Sequence, residues 1–337
     1  MAEQPAETTA NLVGYGETLE AIREVQLASG MIPWYPGGHA DPWNHVEAAM
    51  ALSAAGEFAA AERGFAWLAR TQLADGSWHA FYGEDGSVEE GRIDPNGVAY
   101  VATGVLHHLL TSGDVGFAEE LFPVVDAALG FVVSLVGPQG EIPWSVEPSG
   151  RPGTFSLLAA SSSIHQSLGS GARLAAALGR ERPAWTAAAA RVARLIRGGE
   201  SFFADNRQFA MDWYYPALAG VLDLRCARAR LRARAAEFVL PALGVLCRSD
   251  RRWVTTAETA ECVVAFARVG WVAEASRLLT ATEGLRHDDG SYTTGLVHPE
   301  RSEFPSGERT TYSAAAVVLA ADVLAAGPSA SIFAPLR

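Results

Sequence analysis

The sequence predicts an all-α protein, a single (α/α)6 toroid of six helical hairpins with an inner and an outer ring. Three observations carry this. Strand signals are almost absent, whereas long alanine-rich amphipathic segments dominate, and alanine is the best helix former. These segments alternate between a kind charged on one face and a kind poor in charge. The connections alternate as well, short after the second kind and long after the first. At 337 residues, 49% hydrophobic and 19% charged, the chain is long and apolar enough to bury a large core.

The helices follow in order. The charged-face kind covers residues 17–28, 58–72, 117–135, 183–197, 228–243 and 272–282. The charge-poor kind covers 42–54, 95–111, 161–178, 211–222, 255–269 and 310–325. A helix buried all round carries little charge, so the second set is assigned to the inner ring and the first to the outer. Repeated hairpins with such asymmetric loops describe a closed or solenoidal array. Residues 1–14 read as a flexible polar N-terminus, 15–327 as the toroid, and 328–337 as a C-terminal tail.

The long loops share a turn. Gly30 to Trp34, Asp75-Gly76-Ser77-Trp78, Gly140 to Trp144 and Asp289-Gly290-Ser291-Tyr292 each place a glycine shortly before an aromatic, and Arg252-Trp253 is a degenerate copy. Glycine permits positive φ, and aspartate bonds its own backbone two residues on. These aromatics either seal hairpin against hairpin or face a ligand. All long loops then lie at one end, over the N-termini of the inner helices, where free N–H groups favour an anionic or strongly hydrogen-bonding small molecule.

A formal net charge of −12 and the lack of a dense basic field argue against a nucleic-acid partner. The arginines between 225 and 234 are interleaved with Ala and Leu and read as a wet helix face. Cys226, Cys247 and Cys262 are odd in number and lack a CxxC. That points to a cytoplasmic setting and away from disulfides or a four-ligand zinc site. The polar, acidic start of the chain is no signal peptide, and no run of about 20 apolar residues occurs. No metal or other cofactor is expected, and nothing signals an oligomeric state.

Gln72-Leu73-Ala74-Asp75-Gly76-Ser77-Trp78 resembles the QW-type repeat of squalene and terpene cyclases, and Asp289 to Tyr292 is similar to a shorter copy. The hairpin pattern resembles the terpenoid cyclase/protein prenyltransferase toroid superfamily. Along nearly its whole length the chain is similar to actinobacterial proteins called prenyltransferase-like for their fold. The resemblance implies an aromatic pocket for a prenyl-type substrate. The Asp-x-Asp-Asp acid motif, the Asp/Cys/His zinc set and the aspartate-rich magnesium motifs of that superfamily are missing.

Candidate site residues gather at the inner-helix starts. Asp41 precedes Pro42, an N-cap and N1 pair, and is also a candidate ligand contact. Trp43 and Glu47 share a face, His45 points elsewhere, and a carboxylate one turn into an apolar helix is costly unless paired or used. Asp94 repeats the cap before Pro95, with Tyr100 below. His165 opens the third inner helix as a general base or a satisfied core histidine. Asp212 starts the run Trp213-Tyr214-Tyr215, which is too aromatic for every ring to face the core. Thr255 with Glu258 forms a capping box that gives Glu258 a structural role, leaving Glu261 as the better candidate. Arg309, beside Tyr312, would grip a carboxylate or phosphate, or pair with a neighbouring acid.

The expected catalytic set is thus Glu47, Asp94, His165, Asp212 and Glu261, with Glu47, Asp212 and Glu261 converging on one pocket. Trp34, Asp41, Trp43, His45, Trp78, Tyr100, Trp144, Trp213, Tyr214, Trp253, Arg309 and Tyr312 would bind substrate. Two enzyme readings follow. In the first, which the resemblance places ahead, rings stabilise a carbocation on a prenyl substrate. In the alternative, two carboxylates work on a glycan, as in a hydrolase, lyase or epimerase. A non-catalytic binding toroid is the third. The fold hosts all of them.

Overall fold

The computed structural model describes residues 12–336. Its outer helices are α1 (Gly16–Val25), α3 (Phe58–Thr71), α5 (Val115–Ser134), α7 (Pro183–Gly198), α9 (Leu224–Phe238) and α11 (Val272–Thr282). Its inner helices are α2 (Pro42–Ala54), α4 (Pro95–Ser112), α6 (Leu158–Ala177), α8 (Ala210–Leu218), α10 (Thr256–Arg268) and α12 (Thr311–Leu324). Each inner helix packs on the next, and α12 returns to α2, so the ring closes. Charge-poor α2, α4 and α12 are buried almost throughout, as helices enclosed by the outer ring and the lumen must be. The chain is therefore an (α/α)6 toroid.

The shared loop turn is a mechanical part. Gly30, Gly76, Gly140 and Gly290 all take positive φ. A Cβ at each would overlap the backbone of the next outer helix: Arg63, Ala127, Arg191 and, at the seam, Glu17–Thr18 of α1. Gln72 Nε2 donates to Gly76 O and to Val124 O of α5, both at 2.9 Å, and Gln26 does the same to Gly30 O and Ala60 O. Trp78 is fully buried and donates its Nε1 to Leu68 O at 2.9 Å. The QW-like stretch thus staples outer helices together, and it corrects the expectation that Trp78 meets substrate.

Strands are present where few were expected. Two (Phe81–Tyr82 and Val88–Glu90) pair in the loop before α4. Five more (Val239–Leu240, Gly244–Leu246, Trp253–Thr255, Gly295–Val297, Ser302–Glu303) form an antiparallel sheet in chain order, from the loops before α10 and α12. At two or three residues each, they are too short to show a two-residue period.

Residues 1–11 of the expected flexible N-terminus lie outside the described residues; Leu12 is buried. At the other end, the expected tail is part of the body. A short helix, α13 (Ser329–Ile332), is docked by Ser329 N donating to Asp322 Oδ2 at 2.8 Å and by Ser329 Oγ meeting His107 Nε2 at 2.9 Å. Phe333 then closes the lumen floor. Asp322, a lone acid inside α12, is explained by this docking.

Candidate active site

The lumen has a floor and a mouth, separated by about one helical turn. On the floor, Glu47 of α2 and Glu261 of α10 border a cavity of about 20 Å³ with Tyr100, Gln166, Tyr215 and Phe333. That is room for about one water. Tyr100 Oη donates to Glu47 Oε1 at 3.2 Å, Tyr215 Oη to Glu261 Oε1 at 2.9 Å, and Tyr214 Oη to Glu261 Oε2. Burial raises the pKa of both carboxyls, most for Glu261, and each raises the tyrosines beside it.

Raised carboxyls bind their protons more tightly folded than unfolded, so stability is full at low pH and is lost as pH rises past the ordinary carboxylate range. Glu47→Gln keeps the acceptor for Tyr100 and removes the charge. It is expected to stabilise the protein by about 1–3 kcal/mol at pH 8 and to leave it unchanged at pH 4, read as melting temperatures at the two pH values. An equal melting temperature at pH 8 would show that Glu47 is ionised at no cost.

At the mouth, Asp41 caps α2. Its Oδ1 accepts from the N–H groups of Trp43 and Asn44, and its Oδ2 accepts from Trp34 Nε1 at 2.6 Å and Asn44 Nδ2 at 2.7 Å. Asp41 therefore orients Trp34 and Asn44, and its own oxygens are spent. Trp34 packs edge-on against Tyr312, His39 and Phe81, at centroid distances of 5.0, 4.6 and 5.8 Å, to make an aromatic wall. Half-buried Trp43 stands between Tyr100 and Tyr215.

Asp94 caps α4 with one oxygen, accepting from Asn96 N at 2.9 Å. Its second oxygen takes no hydrogen bond from the described residues. Burial pushes its pKa up to about 6, against the pull of Arg92.

The expected capping box does not form. Thr255 is the N-cap of α10, but its hydroxyl makes no hydrogen bond with the described residues; its carbonyl is taken by Thr259 Oγ1 at 2.6 Å. Glu258 is freed and half-buried, its charge felt by Tyr214, Tyr312 and the Cys247 thiol. It sits one turn above Glu261, nearer the mouth. The sequence signal for Glu258 is masked by the Thr-x-x-Glu spacing, which carries a local capping explanation. Around the ring α2, α4, α6, α8, α10, α12, helix α4 lies opposite α10, so Asp94 and Glu258 start from opposite walls.

Several expected site residues lie elsewhere. Asp212 does not join Glu47 and Glu261; its Oδ1 accepts from Ala159 N at 3.1 Å, and it lines a separate cavity under the loop before α8. His165 Nδ1 meets Ala189 O of α7 at 3.0 Å, turning the ring toward the outer helices. His45 Nδ1 accepts from Ile32 N at 3.0 Å, so its Nε2 carries the proton donated to Gly64 O at 3.0 Å. Burial lowers its pKa to about 4, and it is a neutral spacer between helices.

Trp213 donates to the carbonyls of Arg230 and Leu231 on α9, and Trp253 donates to Phe304 O across the sheet. Arg309 is exposed and paired with Asp289 at 3.1 Å, beside α1. Trp144 lies at the mouth, stacked on Phe155. Among the described residues no cluster of three or more His, Cys, Asp or Glu is arranged to hold a metal.

An (α/α)6 toroid whose mouth carries acids at the starts of opposite inner helices, beside a wall of aromatic rings, suits a carbohydrate-active enzyme. No family model matches the chain. Over 308 residues it is 44% identical to the MMP endo-(1,4)-3-O-methyl-alpha-D-mannosidase of Mycolicibacterium hassiacum, spanning 91% of this chain and 85% of that protein. The chain belongs to the family of that endo-mannosidase, and it is a glycan-active enzyme.

Solved structures with the same fold include a wild-type glycosidase (TM-score 0.74, 15% identity, 96% and 99% of the two chains). A GH63 mannosylglycerate hydrolase from Thermus thermophilus is another (TM-score 0.70, 14% identity, 90% and 98%). These findings overturn the resemblance to terpenoid cyclases and prenyltransferases and with it the prenyl substrate. The QW-like turn that carried that resemblance serves in this chain as a staple between outer helices. Among the described residues no helix is long and apolar enough to cross a membrane.

Proposed function

We propose that this enzyme hydrolyses internal α-1,4 bonds of a 3-O-methylmannose polymer, with Asp94 as general acid and Glu258 as general base. The observation that carries the reading is the 44% identity across nearly the whole chain to an enzyme named for that activity. The mouth suits it. The ring wall of Trp34, Phe81 and Tyr312 offers apolar faces to sugar C–H groups and to an O-methyl group. The free thiols of Cys226, Cys247 and Cys262 suit a reducing compartment such as the cytoplasm.

In the proposed step, protonated Asp94 gives its proton to the glycosidic oxygen as the C1–O bond breaks. Glu258 takes a proton from the water that attacks C1 from the other face. The separation favours this course. Neighbouring helices pack about 8–10 Å apart, so opposite helices of a six-membered ring stand about 16–20 Å apart. Acid side chains reach about 5 Å inward from each axis, which leaves a gap of about 6–10 Å, the range that accommodates a water and inverts the anomeric centre. Glu47 and Glu261 line a cavity too small for a sugar ring and serve as a buried support.

The test is proton NMR of α-1,4-linked 3-O-methylmannose oligosaccharides during hydrolysis. The β-anomer is expected to appear first, with the rate falling as pH rises through about 6 and Asp94 loses its proton. The α-anomer appearing first would overturn the acid–base pairing, and no hydrolysis would overturn the substrate.

A further inference from the structure

An endo-acting enzyme must hold sugar residues on both sides of the cleaved bond, and a second feature of the loop face offers a place for them. Phe155 is 46% exposed, yet its ring is backed from beneath. Its ring stacks on Trp144 at a centroid distance of 5.6 Å and 14° between planes, and the Arg92 guanidinium lies 4.4 Å from the Trp144 centroid. Arg92 is two residues from Asp94. Backbone pairing joins these loops: Ile93 bridges Val146 in both directions, and Trp144 N donates to Phe155 O at 2.8 Å.

The next residue, Ser156, accepts at its carbonyl from Ala204 N at 2.9 Å. Ala204 borders a cavity of about 360 Å³ with Asp212, Glu200 and Arg207, within the size range of small-ligand sites, about 300–1,000 Å³. Asp212 is only 6% exposed. One of its oxygens holds Ala159 N, and the other takes no hydrogen bond from the described residues.

We infer that this run of loops, from the Phe155 platform to the Asp212 cavity, is a subsite for a further sugar residue of the chain being cleaved. A sugar's C–H face packs on the exposed phenyl ring, which the stack beneath keeps from turning. Hydroxyl groups donate to the unused Asp212 oxygen, supplying the donor that a buried carboxylate requires. The inference rests on the glycan-hydrolase reading of the mouth and gives Asp212 a binding role in place of the catalytic role expected from the sequence.

The test compares kcat/KM for a long oligosaccharide with that for an aryl α-mannoside, in the wild type, Phe155→Ala and Asp212→Asn. Each variant is expected to lower the long-to-short ratio by about fivefold or more. An unchanged ratio in Phe155→Ala, which removes a half-exposed ring outside the core, overturns the subsite even if Asp212→Asn fails to fold. Should the wild type cleave no mannoside, the substrate reading fails separately. The subsite is then tested by thermal shift against a panel of neutral oligosaccharides. A shift in the wild type that shrinks in Phe155→Ala supports it, and no shift, or one that is the same in both proteins, overturns it.

Discussion

Glu258→Gln is expected to lower kcat by about a thousandfold or more, equivalent to about 4 kcal/mol of transition-state stabilisation, while the melting temperature stays within about a degree of the wild type. Glutamine keeps the shape of glutamate but takes no proton from water. The fold loses little, because Glu258 does not cap α10 and is held by no structural hydrogen bond from Thr255. Asp94→Asn is expected to fall comparably in kcat and also to lose the decline in rate above about pH 6, since the group responsible is gone. The contrast is with Glu261→Gln, which leaves the mouth untouched. If Glu261→Gln abolished activity while Glu258→Gln retained most of it, the chemistry would lie at the floor and the assignment of the base would be wrong. Steady-state kinetics on one oligosaccharide for the three variants decides between them.

Gly290→Ala is expected to cost about 3 kcal/mol or more and to lower the melting temperature by several degrees. Gly290 has φ of +79°, where an L-residue is strained by about 1 kcal/mol or more. Its missing side chain is also where the Glu17–Thr18 peptide of α1 passes. An added methyl group must push the last outer hairpin from the first, and that contact is where the ring closes. Gly113 provides the comparison: its φ is +72°, but a Cβ there meets nothing of the described residues within 4 Å. Gly113→Ala is expected to show the strain alone. Equal losses for the two variants in thermal denaturation would mean that the seam contact contributes nothing.

Much of the scaffold was legible because burial leaves periodic marks. The inner helix 42–54 and the outer helix 272–282 were placed to the residue from charge patterning and flanking turns. The shortened α8 was not. Residues 219–222, expected to be helical, instead form a turn at Gly220, with φ of +70°. The candidate site was harder to read. Glu47 and Glu261 were found because an acid inside an apolar helix is conspicuous, and the structure places both on one floor. Asp212 looked equivalent by position, but α8 directs it toward α6 and away from the axis. His45 and Trp213 have the chemistry of ligand contacts, but their ring nitrogens are satisfied by backbone groups, which no local pattern announces. Glu258 is hidden in the sequence because Thr-x-x-Glu at a helix start has a ready local explanation, one that the fold does not use.

The sequence by itself determined the ring. Six hairpins, the division into a charged and an uncharged set, and glycine at most of the long inter-helix turns follow from periodicity and backbone sterics, which act over a few residues. Only the tertiary structure decided which acids share a wall, which face one another and which are caps. Those relations join residues more than a hundred positions apart, such as Asp94 and Glu258. Proton affinity and free hydrogen-bonding capacity depend on the neighbours such distant segments supply once the ring has closed.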